Sequence, residues 1–199
     1  PITWTLKLKE LRKADIVHIH NMHGKYWSSL TLVPFAFQHP TVITLHDEYT
    51  ITGDCCYTYE CDRWKNSCGK CPQIGLPVNQ KYSLGGKDKT RFNVLLKRLL
   101  FNLPRAYPMV VVTPSKWLSD RAKRSKNLRH LPIVTIPYGI DLDLWSPRDQ
   151  DKCRVEENFP RDKIIALVVA NDLSDRRKGF SAVLDAIKKL PEGHNLFFV

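Results

Sequence analysis

Six short runs of mostly apolar, largely β-branched residues recur along this 199-residue chain, and they constrain its fold more than any other feature. They are Ala14–His20, Thr41–Leu45, Met109–Thr113, Pro132–Ile136, Ile164–Ala170 and Asn195–Val199. Runs of this length and composition, with polar residues or prolines at their ends, read as buried strands. Helical patterns lie between them. Leu6–Lys13 reads as a short helix, and Tyr26–Phe37 as another that breaks or ends near Pro34. Asp88–Leu103 places Phe92, Leu95, Leu96, Leu99, Leu100 and Leu103 on one face, with Arg91, Lys97 and Arg98 adding charge. Ser115 is placed to cap a helix holding Trp117–Lys123. Phe180–Leu190 reads as a helix with Ala182, Val183, Ala186, Ile187 and Leu190 inward. Strands that are apolar throughout and alternate with helices predict an α/β fold with parallel sheets covered on both faces.

The segment from Leu45 to Pro72 stands apart. It holds five of the six cysteines and opens with His46-Asp47 directly after the second strand. The carboxyl end of such a strand is where open α/β sheets place their chemistry. Cys55, Cys61, Cys68 and Cys71 have spacings x5, x6 and x2, with Cys56 beside the first. Four thiolates within 17 residues can form a tetrahedral zinc site, and Cys68-Gly69-Lys70-Cys71 suits the tight turn that faces two sulfurs to one ion. Disulfides and free buried thiols are the alternatives. The first residues carry no secretory signal, which favours a reducing compartment and weighs against disulfides. The loop runs to about Gly86, and a loop that long is functional or held by another constraint.

Histidines end the first two strands. Alternation puts His18 and His20 on one side of theirs, His23 follows in the loop, and His46 closes the second. A strand-end histidine can donate to a substrate oxygen or to a developing negative charge, or can simply be structural. His20 and His46, on neighbouring strands, are within reach of one pocket. Farther on, Arg176, Arg177 and Lys178 stand just before a helix amino end, a place suited to a phosphate or diphosphate. Neither a GxGxxG nor a P-loop pattern is present, so no nicotinamide or ordinary ATP site is supported.

The formal charge of +11, from 31 basic and 20 acidic residues, favours an anionic partner without choosing which. No apolar run approaches the roughly 20 residues of a membrane span. The chain begins without Met and stops within an apolar strand-like run, which predicts a fragment of a longer protein.

Three motifs in order resemble glycosyltransferase family 4, the large retaining family of GT-B fold: VVTPSKWL at Val111–Leu118, IPYGIDLDLWSP at Ile136–Pro147, and DRRKGF at Asp175–Phe180 before an Ala-rich helix. HIHNMHGKYWS, TLHDEYTITGDC and CDRWKNSCGKCP together resemble a cysteine-bearing branch found in bacterial polysaccharide gene clusters. The similarity runs from about Ala14 to the end.

The resemblance implies parts of two Rossmann-like domains. Residues 1–140 would be the acceptor-side domain, with a Cys-rich loop at 52–86; residues 141–160 would connect it to the start of a nucleotide-sugar-binding domain at 161–199. By position His20 matches the family histidine near the sugar, with His46 the alternative. Lys178 matches the lysine that neutralises the donor diphosphate. The family arginine that partners it has no counterpart at Ala170-Asn171-Asp172, and Arg177 stands in. The family's glycine-rich loop would precede Pro1, and its paired glutamates would follow Val199.

The implied activity is transfer of a sugar, with retention, from a UDP- or GDP-linked donor to a saccharide or lipid-linked acceptor in surface polysaccharide synthesis. Such an enzyme is cytoplasmic, and the basic helix at Asp88–Leu103 would allow peripheral contact with the inner face of the membrane. No cofactor is implied for catalysis, and a zinc in the cysteine loop would be structural. Two other readings remain: a non-catalytic GT-B-like binding protein, and a basic zinc-containing nucleic-acid-binding module. The latter explains the charge and the cysteines but not the repeated βα pattern.

Overall fold

A computed structural model describes residues 13–23, 28–74, 87–104 and 106–199. The chain divides into two units, Pro1–Gly139 and Ile140–Val199. The helix expected at Leu6–Lys13 and the end of the cysteine loop, residues 75–86, lie outside the described residues.

In the first unit, four strands form one parallel sheet: β1 (Val17–His20), β2 (Thr41–Thr44), β3 (Met109–Thr113) and β4 (Ile133–Thr135), in that order. Prolines set the register. Pro40, Pro108 and Pro132 each stand just before a strand, where a missing amide hydrogen costs no ladder bond. Their carbonyls accept from Val17, Thr41 and Val111 at 2.9, 3.0 and 2.9 Å, so each strand is met at its start by the next connection. His20 consequently lies beside Thr44, and Leu45 continues the ladder through a 2.9 Å bond to the Val112 carbonyl.

The helices of this unit are α1 (Leu32–Gln38), α2 (Thr90–Asn102) and α3 (Lys116–Arg124). A short 3-10 turn, Ser29–Thr31, leads into α1. Pro34 neither breaks nor ends α1. It falls in the first turn, where the absent N–H would have had no intrahelical partner. Ser115 caps α3, its hydroxyl accepting from the Leu118 amide at 3.2 Å. The core gathers Val17, Ile19, Ile43, Met109 and Val111 from the strands, Leu32, Ala36, Phe101, Leu118 and Ala122 from the helices, and Ile51 and Trp64 from the loop. Full burial of each large apolar side chain contributes about 1.5–3 kcal/mol.

At the edge strand β1, Val17 and Ile19 are buried, whereas His18 and His20 on its other side are exposed among the described residues. The apolar stripe of α2 is largely its outer face. Phe92 is 65% and Leu99 59% exposed, while Thr90, Val94, Lys97, Leu100 and Phe101 are buried. The cause is the loop beneath the helix, which offers backbone carbonyls to a buried ammonium, as described below.

The second unit contains α4 (Gln150–Glu156), β5 (Ile164–Ala166), α5 (Phe180–Ile187) and β6 (Leu196–Phe198), with β5 and β6 parallel. Asp149 caps α4 by accepting from the Lys152 amide at 2.8 Å. No described residue of this unit is fully buried. On α5, Val183 and Ile187 are half-buried, but Ala182 and Ala186 are exposed, against expectation. Among the described residues no helix is long and apolar enough to cross a membrane.

Candidate functional site

The carboxyl ends of β1 and β2 bring histidines together. Alternation along β1 turns His18 and His20 to one side, and their rings lie 4.2 Å apart. His46 follows β2 by two residues, so it extends the same side of its strand toward His20. The His20 Nδ1 and His46 Nε2 atoms are 2.8 Å apart, with the rings stacked at 5.1 Å. The other nitrogen of His46, Nδ1, lies 2.6 Å from the Tyr138 hydroxyl, and those rings are stacked within 10°. His18 is held separately, its Nε2 lying 2.7 Å from the Thr44 hydroxyl.

Tyr138, His46 and His20 therefore form one hydrogen-bonded row. If the Tyr138 hydroxyl donates to His46, then His46 donates to His20, and the second ring nitrogen of His20 carries a hydrogen. If every proton in the row shifts by one place, that nitrogen becomes an acceptor, and the Tyr138 oxygen, having given its proton to His46, takes one from solvent. With that exchange at the exposed Tyr138 end, the row can deliver or receive a proton at His20 Nε2 without a charged imidazole persisting. Burial, then the like charge of His20, holds the His46 pKa below its ordinary value, with Asp47 opposing. His18 is lowered by burial first, then by His20 and His46. Both shifts favour the neutral imidazole at His18 and His46.

Asp47 turns to different partners. Its carboxylate accepts from the Tyr49 amide at 2.8 Å and meets His23 Nε2 at 2.8 Å, and the Cys56 thiol hydrogen-bonds to it. Sequence reasoning kept His46 and Asp47 together as a pair; the structure divides them between the histidine row and the loop. The ligand atoms of His23, Asp47 and Cys56 lie within 4.8 Å of one another.

Glu48, which the sequence did not single out, is 2% exposed and anchors the loop. It accepts from the Thr58 amide at 2.7 Å, from the Thr58 hydroxyl at 3.1 Å and from Arg121 Nε of α3. The Arg121 guanidinium lies over the rings of Trp64 and Trp117, at 4.7 and 4.9 Å. Lys97, 3% exposed, reaches in from α2. Its ammonium donates to the Tyr49 and Thr52 carbonyls at 2.7 and 3.1 Å and lies 3.3 Å from the Tyr49 ring centroid. Burial pushes its pKa down to about 7, partly opposed by Asp54, Cys55, Cys56 and Cys68.

Cys55, Cys61, Cys68 and Cys71 line one cavity of about 20 Å³, together with Gly53, Thr58, Trp64, Gln73 and Thr90 among others. All four are free thiols in the structure, and burial raises the pKa of Cys55 to about 12. In the second unit, Arg176–Lys178 form a 3-10 turn ahead of α5, as the motif position predicted. Asp175 caps this turn, and its carboxylate also binds the Arg177 side chain. Arg177 is thus already engaged, and Arg176 and Lys178 beside it are exposed.

The sequence pointed to His20 and His46 by their strand ends. Tyr138 lay inside a quoted motif without a role, 92 residues from His46, and no local pattern links the two.

Residues 2–144 match the family model described as Glycosyltransferase Family 4. The chain is 32% identical over 113 residues to a protein of Escherichia coli (strain K12) described as "Putative colanic acid biosynthesis glycosyl transferase WcaC", covering 53% of this chain and 26% of that protein. The chain thus spans about a quarter of that relative's length. No solved structure matches it significantly.

Proposed function

Because this chain belongs to glycosyltransferase family 4, we propose that it is part of a retaining enzyme that moves a sugar from a nucleoside-diphosphate donor to a saccharide or lipid-linked acceptor. Its mixed α/β architecture with parallel sheets is consistent with the GT-B fold of that family. The product would be a surface polysaccharide, a reading supported by the colanic acid biosynthesis role in the relative's description. The proposed protein works in the cytoplasm, with the outward apolar and basic side of α2 available to the inner face of a membrane.

The observation that carries the reading is the row Tyr138–His46–His20 at the carboxyl ends of two parallel strands, which is where this architecture places ligands. In the proposed reaction the bond from the sugar's anomeric carbon to the diphosphate breaks, and the acceptor oxygen forms the new bond on the same face. The acceptor hydroxyl passes its proton to an oxygen of the leaving diphosphate, which gains negative charge as the bond to the sugar breaks. Lys178, with Arg177 as its partner, neutralises that charge beside the amino end of α5. His20, with His46 behind it, hydrogen-bonds the sugar and holds it for transfer. No cofactor takes part in this scheme. In domain terms, residues 1–140 present the acceptor and residues 161–199 begin the donor-binding part.

The test is a donor screen on the full-length protein, with release of UDP or GDP as readout. Turnover with at least one donor is expected, and Lys178→Ala is expected to lose more of it than Arg177→Ala. Nucleotide-sugar binding by calorimetry without turnover would instead identify a binding protein. No nucleotide-sugar binding, with a salt-sensitive shift of nucleic acid in a gel, would overturn the proposal.

A further inference from the structure

The cysteine loop is built around a space, and its chemistry matches one kind of guest. The four cysteines share the lining of one cavity with room for roughly one atom-sized occupant. Backbone amides aim at the sulfurs: the Gly53 N–H at Cys68, and those of Gln73 and Ile74 at Cys71. Amide hydrogens pointed at sulfur stabilise thiolate over thiol. The turn that carries Cys68 to Cys71 holds three successive left-handed residues, Cys68, Gly69 and Lys70, with φ of 50°, 86° and 47°. Two of these are not glycine, and each such residue costs on the order of 1 kcal/mol that something must offset.

Charge supplies an independent argument. Lys97 brings a buried ammonium to the loop, where backbone carbonyls and the Tyr49 ring receive it. A divalent ion on four thiolates carries a net charge of −2, which the Lys97 ammonium would offset in part.

We propose that Cys55, Cys61, Cys68 and Cys71 together bind one zinc ion as a structural tetrathiolate, with Lys97 as its buried countercharge. Zinc–sulfur bonds of about 2.3 Å set sulfurs roughly 3.8 Å apart, so the four draw inward on binding and each releases its proton. The ion ties the segment at Cys55–Cys61 to the turn at Cys68–Cys71. His23, Asp47 and Cys56 are the closer-set potential ligands. They already satisfy one another, with Asp47 accepting from both neighbours, and they have no need of an ion. The proposal does not depend on what the histidine row does.

The full chain, purified without chelator, is expected to carry about one zinc, and exchange with cobalt(II) to give the thiolate charge-transfer and intense visible bands of tetrahedral sulfur ligation. Cys61→Ser and Cys71→Ser remove those bands, whereas Cys56→Ser and Cys153→Ser keep them. Lys97→Met weakens zinc in a chelator competition by about 10- to 100-fold, as loss of a partner outside the ligand shell does. Less than ~0.2 zinc per chain together with no cobalt bands in the wild type would overturn the proposal. So would paired disulfides by mass under non-reducing conditions, or bands that vanish only with His23→Ala and Cys56→Ser. The wild-type measurements hold even if a variant fails to fold.

Discussion

Two regions diverge from adjacent residues at the end of β2. His46 leads to an exposed row of aromatic rings joined by hydrogen bonds, whereas Asp47 and Glu48 lead into a loop in which their own carboxylates are buried or half-buried and hydrogen-bonded. The first region has ring nitrogens placed at a strand end and little packing around them. The second has packing, ion pairs and thiols held around a cavity. The difference teaches that one strand end serves two purposes: a site must stay accessible, and the loop beside it must not move. A side chain in the exposed row should be costly for activity and cheap for folding, and one in the loop should be the reverse.

The largest effect expected is on folding, at Glu48. Glu48→Ala leaves Arg121 without its carboxylate and the Thr58 amide without its acceptor, a loss of about 3–5 kcal/mol by urea unfolding. A loss below about 1 kcal/mol would break the contrast, because the loop would then be no more tightly built than a surface.

Next comes the row. His20→Ala and His46→Ala in the full-length enzyme should lower kcat on the order of 100-fold, with unfolding free energy changed by less than about 0.5 kcal/mol. Tyr138→Phe should have a smaller effect and shift the pH profile of turnover, since it removes the proton at the end of the row. Equal losses of stability and activity at His46 would mean that the row is structural.

A third test uses pH on metal-free protein. The Lys97 pKa is about 7 in the fold against 10.5 ordinarily. Between those values the unfolded chain binds a proton that the native state does not, so stability rises as pH rises above 7, by at most about 1.4 kcal/mol per unit. Above pH 9 the trend reverses. The Cys55 and Cys56 thiols, raised by burial, stay protonated in the fold after they would ionise in the unfolded chain. Urea titrations from pH 6 to 10 read this directly, and Lys97→Met should flatten the rising limb.

The smallest effect belongs to the outer side of α2. Phe92→Ser and Leu99→Ser should change stability by less than about 0.5 kcal/mol, whereas Val94→Ala, on the buried side, should cost more.

The strands were legible because β-branched runs flanked by prolines leave few alternatives. Met109–Thr113 was read with its observed bounds. The placement of His18 and His20 on one side followed from alternation alone. Which face of α2 turns inward was not legible, because periodicity counts apolar side chains and cannot see the Tyr49 and Thr52 carbonyls that draw a lysine inward. The partners of Asp47, Glu48 and Arg121 were hidden for a related reason. Glu48 and Arg121 are 73 residues apart and meet only because β3 lies beside β2 and α3 follows β3.

Gly53 carries a consequence for anyone recombining such proteins. A Cβ there would sit 2.3 Å from the Thr90 carbonyl oxygen, so at this point the loop and the first turn of α2 touch backbone to backbone. The Gly69 amide also donates to the Thr90 hydroxyl, and the Cys71 amide to Asp88. Loop and helix are therefore one exchangeable cassette. A chimera that grafts a relative's loop has its safest junctions before residue 45 and after residue 102, outside these contacts, and one cut between loop and helix inherits a mismatch that no surface redesign repairs.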